Sequence, residues 1–274
     1  MSSADLLEGV RREWELRADG PATVRGAATV QPVRTAAGTP ASLKVGPVAV
    51  DTAHEHLALR RWDGTGAVRL LRADPHRGAL LLERLHPEDL GDLWDVEACE
   101  VVAALYARLH VPATPQLRLL SSYAGEVAER LAALPRSAPL PRRLVEQAAG
   151  LARDLAGDPA TDGTLVHGDL HYATVLAGDR EPWLAVDPRP LSGDPHVEPA
   201  PMLLHRFEEL SLPGGVGVRD GVRQRFHALV DGAGLEEGRA RAWVVVRTLA
   251  QAADALDDHA TVTRCVTVAK AVQD

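Results

Sequence analysis

Apolar side chains recur at helical spacing at the start of the chain. Leu6, Leu7, Val10 and Trp14 share one side of residues 4–17, which predicts an amphipathic helix. The pattern then changes. Residues 22–50 carry ATVRGAATVQPVRT and PASLKVGPVAV, rich in Val, Thr and Ala, and AAGTP at 36–40 is a turn signal between two such runs. A small antiparallel sheet is the reading. DTAHEHLALRRW at 51–62 predicts a short helix with Leu57, Leu59 and Trp62 as its apolar positions. AVRLLRAD at 67–74 and GALLLERL at 78–85 predict two further strands. Beyond them helical periodicity takes over, with Leu93, Val96, Val101, Leu105 and Leu109 in 92–110, helices at 122–134 and 141–156, and a mostly helical tail at 218–272. The layout predicts an α+β fold in two parts, a β-rich N-lobe at 1–86 and a larger helical C-lobe at 87–274.

Composition narrows the class without naming it. The 274 residues are 46% hydrophobic and 25% charged, which is ordinary for a globular protein. A net charge of −8 argues against a general nucleic-acid binder, which needs a basic face. The two cysteines, Cys99 and Cys265, sit in apolar, helix-like surroundings and make neither a disulfide framework nor a CxxC metal site. MSSADLLEGVRREWEL lacks a basic region followed by an apolar run, and no stretch reaches about 18 uninterrupted apolar residues. A soluble cytoplasmic protein with no membrane partner is the expectation. Of 30 Lys and Arg residues only Lys44 and Lys270 are lysines. A lysine in such a chain marks a place where arginine's planar fork does not serve.

The chemistry concentrates in HGDLHYATVLAGDREPWLAVDPRP. Asp169 and Asp187 each follow an apolar, strand-like segment, TLV and WLAV, with the turn-like AGDREP between. A hairpin there places both carboxylates near one end of paired strands. Phosphoryl transfer uses such a pair, one carboxylate for the attacking hydroxyl and one for a Mg²⁺ ion on the phosphates. Upstream, Lys44 ends a strand and Glu55 lies in the next helix, an arrangement in which the lysine reaches nucleotide phosphates and the glutamate fixes it. A dinuclear metallophosphoesterase also uses Asp and His ligands, and is the weaker reading of GDLH beside Lys44, Glu55 and Asp187.

HGDLHYATVL followed by WLAVDPRPLSGDP, with ASLKV, ALRRWDGTGAVRLL and LLLERL, resembles the aminoglycoside phosphotransferase family of the protein-kinase-like superfamily, and within it the streptomycin 6-kinase-type branch. The resemblance runs from about residue 12 to 260. It implies a bilobal protein-kinase-like fold and an ATP- and Mg²⁺-dependent kinase, with a small cationic hydroxylated substrate such as streptomycin. Asp169 is then the catalytic base or orienter, Asp187 the main Mg²⁺ ligand, Lys44 the α/β-phosphate contact and Glu55 its partner. Leu82 to Leu85, with Glu83 and Leu85 as nucleotide contacts, form the hinge that receives adenine through backbone groups. The nucleotide loop falls near Arg25 to Ala28, without a GxGxxG pattern.

One position departs from the family. Its motif reads HGDxxxxN, and Thr174 stands where the metal-binding asparagine belongs. A threonine hydroxyl also ligates Mg²⁺, with a shorter reach. This motivates an alternative: a catalytically impaired kinase-like binding protein. His167 reads as structural, and His171 as lining or supporting the loop on the substrate side. Glu198 lies near the substrate side, where relatives carry aspartate. Glu208, Glu209, Asp254, Asp257 and Asp258 read as exposed helix faces. Substrate selection falls to the least patterned stretch, 196–260.

Overall fold

In the computed structural model, which describes residues 3–211 and 216–274, short strands and helices alternate through the first third and helices dominate afterwards. Leu212–Gly215, inside the stretch assigned to substrate selection, lie outside the described residues. Chain order begins with α1 (Ser3–Glu13), β1 (Arg17–Ala18), β2 (Thr23–Arg25), β3 (Ala28–Arg34), β4 (Pro40–Val45), α2 (Glu55–Trp62), β5 (Leu70–Asp74) and β6 (Ala79–Glu83). It continues with α3 (Asp95–Leu109), β7 (Val111–Pro112), α4 (Leu120–Ala132), α5 (Arg142–Gly157), β8 (Thr164–Val166), β9 (Val175–Ala177), β10 (Trp183–Ala185) and β11 (Leu191–Gly193). Helices α6 (Pro199–Leu204), α7 (Val218–Ala233), α8 (Glu237–Asp254) and α9 (His259–Ala271) complete it. The chain divides into two compact units. The first holds the described residues through Asp89 plus Thr174–Pro190, and the second those of Leu90–Ala173 and Leu191–Asp274.

The first unit is built on an antiparallel sheet of order β1-β3-β4-β6-β5, with β2 paired to β3. The period-2 pattern of β4 decides which side chains face which way. Ala41, Leu43 and Val45 are buried against Leu7, Val10 and Trp14 of α1 and Val33, Ala79 and Leu81 of the sheet. Lys44 therefore points to the opposite face. The AAGTP turn forms as expected, with Gly38 at φ 83 and Thr35 N–H donating to the Thr39 carbonyl at 3.0 Å. Helix α2 begins at Glu55 rather than at residue 51. The Thr52 hydroxyl accepts the Ala49 N–H at 3.2 Å, a local side-chain bond that competes with helix geometry.

Residues 174–190, counted with the larger lobe in the sequence, pack with the first unit. Strands β9 and β10 pair as the antiparallel hairpin that AGDREP predicts. Ala185 exchanges bonds of 2.9 Å with Gly66 and Val68, and Ala177 does the same with His86 and Glu88. Those backbone bonds, absent from any hydrophobic pattern, attach the hairpin.

The second unit carries a small sheet of order β11-β8-β7 under packed helices, α4 on α5, α3 on α7 and α8 on α9. Strand β8 thus pairs with β7 and β11, not with the WLAV strand β10, so Asp169 and Asp187 do not end two strands of one hairpin. Strands this short leave too little pattern to choose partners. Among the described residues no helix is long and apolar enough to cross a membrane.

Asp194, 2% exposed, ties several of these elements together. It accepts from Trp243 Nε1 at 2.8 Å, from the His196 N–H at 3.0 Å and from Arg239 Nε, while Arg239 also reaches Asp158 and Thr161. His196 Nε2 accepts the Glu236 N–H at 3.0 Å, so its Nδ1 carries the proton and donates to Asp194. Burial alone would raise the Asp194 carboxyl; the bonds from His196 and Trp243 outweigh it and hold its pKa below the ordinary 3.8. The unfolded chain then takes up that proton more readily than the folded one, so the stabilisation is present above pH 3.8 and lost as pH falls below it. We expect Asp194→Ala to cost about 3–5 kcal/mol, because it leaves the buried Trp243 Nε1 without that acceptor and removes one of the two carboxylates that pair with Arg239. Asp194→Asn should flatten the acid limb of stability against pH, and urea unfolding between pH 3 and 7 reads both effects. An acid limb as steep as the wild type's would show that other carboxylates set it.

Candidate active site

Lys44 stands on the face of β4 turned away from the core. In the first unit its Nζ donates to Glu55 Oε1 at 2.8 Å and Oε2 at 2.7 Å, and to Asp187 Oδ1 at 2.6 Å. The Lys44 side chain is 12% exposed and that of Glu55 6%. Burial alone would lower the Lys44 pKa; the two carboxylates outweigh it and hold it above the usual lysine value. Burial pushes the Glu55 carboxyl up, against the pull of Lys44. Two carboxylates thus share one ammonium, a cluster that a cation or a phosphate can enter by exchanging partners. The structure brings Lys44, Glu55 and Asp187 together; the pairing of Lys44 with Glu55 is the one the sequence suggests, and the contact with Asp187 is not.

Asp187 follows β10 with φ at 55, a left-handed conformation few non-glycine residues adopt and aspartate adopts more readily than most. The preceding Val186 N–H donates to the Thr174 carbonyl at 2.9 Å, which anchors the turn. The Asp187 side chain remains 38% exposed, whereas Thr174 is 7% exposed. Both carry hard oxygen donors of the kind Mg²⁺ takes. Among the described residues no group of three or more His, Cys, Asp or Glu could cage a metal. Such a donor set fits an ion held by one or two protein oxygens and completed by phosphate oxygens.

The hinge segment is partly committed elsewhere. Glu83 donates its N–H to the Arg69 carbonyl at 2.9 Å. Its carboxylate accepts from Arg69 N and Arg180 Nη2, both at 2.7 Å. Of the backbone groups expected to receive adenine, the Glu83 N–H is thus already used at the sheet edge. No backbone hydrogen bond reaches Leu85 among the described residues, so its N–H and carbonyl remain for a ligand. Arg25 to Ala28 form the exposed two-residue turn between β2 and β3, with Gly26 at φ 56.

In the second unit, Gly168 at φ 78 turns the chain out of β8 and presents Asp169, which is half-buried. The turn leaves backbone donors facing inward, and Glu198 receives them. Its carboxylate accepts from His167 N at 2.5 Å and Gly168 N at 3.1 Å, and His110 Nε2 lies 3.6 Å away. Glu198 is wholly buried. Burial alone would raise its pKa; His110 and the loop donors outweigh it and hold it below the ordinary value. Glu198 consequently does not face a substrate: both oxygens are spent on the backbone ahead of Asp169. His167 is also buried, with Nδ1 accepting the Asp169 N–H at 3.3 Å, the structural place expected for it.

Two further residues hold this loop, and the sequence pattern does not reveal them. Tyr172 donates its hydroxyl to Asp95 Oδ1 at 3.1 Å. Arg225, with a fully buried side chain, pairs with Asp95 Oδ2 at 2.8 Å. Only an unexpected arginine inside the apolar repeat of α7 hints at it. His171 is 8% exposed and stacks on His205, ring centroids 3.6 Å apart and planes 11° from parallel. Four of the five acidic residues read as helix faces have structural partners: Glu209 takes Arg206, Glu208 Arg264, Asp254 Arg130, and Asp258 caps α9.

Comparison with known proteins places this geometry in context. The family model described as aminoglycoside/hydroxyurea antibiotic resistance kinase matches residues 13–259. A streptomycin 6-kinase of Streptomyces glaucescens is 40% identical over 260 residues, covering 92% of this chain and 83% of that protein. A hydroxyurea phosphotransferase of Kitasatospora aureofaciens is 42% identical over 257 residues, covering 90% and 70%. The solved choline kinase of Streptococcus pneumoniae shares the fold, with a TM-score of 0.63 at 12% identity over 99% of each chain. The fold is therefore that of the protein-kinase-like phosphotransferases.

Removing the Glu198 carboxylate would leave two buried N–H groups without an acceptor. We expect Glu198→Ala to cost about 2–4 kcal/mol and lower Tm by several degrees in thermal unfolding. An unchanged Tm would mean that water replaces the carboxylate at no cost.

Proposed function

The chain belongs to the aminoglycoside/hydroxyurea antibiotic resistance kinase family, a small-molecule kinase, and from that premise we propose that it moves the γ-phosphoryl group of ATP onto a hydroxyl of an aminoglycoside-type antibiotic such as streptomycin. The observation that carries the reading is the buried ammonium of Lys44 held by Glu55 and Asp187. A fold that needed only stability would gain as much from apolar residues there, because burying the Lys44 ammonium and the Glu55 carboxylate is expensive.

Each residue then has a task. Lys44 contacts the α- and β-phosphates, and Glu55 keeps its ammonium at the right height. Leu85 offers backbone groups to adenine. Asp169 orients the acceptor hydroxyl and takes its proton as the oxygen bonds the γ-phosphorus, while the bond to the ADP oxygen breaks. Asp187 and Thr174 are the residues that would hold Mg²⁺, which neutralises phosphate charge when bound. The rigid backing of the Asp169 loop by Glu198 supplies the positioning on which phosphoryl transfer depends.

A cationic acceptor is part of the reading, on the strength of the relatives named for streptomycin. The Arg-paired acids of the second unit give it little help, so hydrogen bonding does most of the selection. The impaired-kinase reading rests on Thr174, whose short, 7% exposed side chain stands in the asparagine position.

The test is ADP release with streptomycin, hydroxyurea and a panel of hydroxylated amines. We expect turnover with at least one aminoglycoside, and a fall of roughly 10²–10⁴-fold in kcat for Asp169→Asn with the KM for ATP unchanged. Nucleotide binding without turnover on any acceptor would instead favour the impaired reading. In that event Thr174→Asn should restore activity, and its failure to do so would clear Thr174 as the cause.

A further inference from the structure

We propose that Arg180 is a positioning residue for the nucleotide base: through Glu83 it fixes the end of β6 so that the backbone groups of Leu85 meet adenine. The inference rests on the kinase reading and adds to it a residue outside the phosphate cluster.

The turn of the β9–β10 hairpin delivers a guanidinium whose donors are all in use. Arg180 Nε donates to Glu83 Oε2 at 3.3 Å, and Nη2 donates to Glu83 Oε1 at 2.7 Å and to the Ala67 carbonyl at 2.8 Å. Nη1 donates to Glu181 Oε1 at 2.6 Å and to the Gly64 carbonyl. An arginine carries five N–H donors, and these bonds employ every one of them. The Arg180 and Glu83 side chains are only 23% and 19% exposed. Gly64 sits at φ 83, and a Cβ there would come within 3.4 Å of Arg180 Nη2. Glycine thus leaves room for the guanidinium to pass.

Glu83 is gripped from a second side as well. Its N–H donates to the Arg69 carbonyl, and its carboxylate accepts the Arg69 N–H. The residues after it are also tied. The Arg84 side chain donates to the Ala41 and Val33 carbonyls, and the His86 N–H donates to the Ala177 carbonyl. Leu85 lies half-buried between these anchors, and among the described residues no backbone hydrogen bond reaches it. The anchors therefore fix where one open donor and one open acceptor point.

This place lies at the right distance from the phosphate cluster. Lys44 stands opposite Leu80 in the β4–β6 register. Leu85 is five residues beyond Leu80, at most about 17 Å of extended chain. A nucleotide with its phosphates on Lys44 and its long axis along β6 brings its base to Leu85. The phosphate end does not depend on Arg180. Backbone bonds of Ala177 and Ala185 attach the hairpin, and Asp187 follows the end of β10 opposite the turn that carries Arg180. Loss of Arg180 thus loosens the base end and spares the phosphate end. An ion pair serving stability alone would give no such split.

The experiment measures, by calorimetry, the Kd of a non-hydrolysable ATP analogue and of inorganic tripolyphosphate, each with Mg²⁺. The proteins are the wild type, Arg180→Gln, Arg180→Lys and Glu83→Gln, with Tm as the control for folding. We expect the analogue to bind about tenfold more weakly to each variant, the loss of roughly one well-placed hydrogen bond, with tripolyphosphate within about twofold of wild type. Lysine keeps the charge but has three donors and no fork, so it should not rescue binding. Should Arg180→Gln fail to fold, Glu83→Gln decides by the same split. An unchanged analogue Kd in the folded variants, or an equal loss for tripolyphosphate, overturns the inference and leaves the kinase reading intact. A wild type that binds neither ligand sinks both. A wild type that binds the analogue and shows the split, but phosphorylates no acceptor, supports this inference and counts only against the proposed acceptor.

Discussion

A positive charge buried on the face of a strand opposite its hydrophobic core must be answered, and in this chain the answer organises the first unit. Lys44 cannot remain 12% exposed as a bare ammonium. It takes both oxygens of Glu55, which fixes α2 against β4, and one oxygen of Asp187, which fixes the end of the β9–β10 hairpin. Three segments far apart in the chain thus meet at one atom. The alternation of β4 makes this possible, because the same strand that buries Leu43 on one side must present Lys44 on the other.

The second unit solves the opposite problem. Its HGD loop leaves a strand through a glycine turn and so turns backbone donors inward. Glu198 accepts two of them, and the Asp95–Arg225 pair holds the next turn through Tyr172. Buried ionic groups of this kind add little net stability. Their contribution is to allow one arrangement of the loop, and a phosphotransferase needs that more than it needs a few kcal/mol.

Local features of both units are legible in the sequence. The period-2 runs locate β3 to β6, and AGDREP locates the hairpin. The scarcity of lysine singles out Lys44, and the helical repeats of the tail mark α7 to α9. What is not legible depends on distance along the chain. Glu198 acts 31 residues from His167, and Asp95 acts 130 residues from Arg225, so neither leaves a mark in a local window. The partners of β8 are missed because strands of two or three residues carry almost no pattern. That Arg69 already occupies the Glu83 N–H is likewise visible only in the fold.

The left-handed backbone at Asp187 also limits how this protein can change over time. Glycine and asparagine adopt φ near 55 at less cost than β-branched and bulky residues do. A lineage relieved of the need for that carboxylate would therefore drift first to asparagine or glycine at 187, keeping the turn while discarding the charge. Aspartate at that position is the costlier state to maintain, since it places a second negative charge beside Glu55. The backbone at position 187 thus narrows the replacements open to it, whatever the task of its carboxylate.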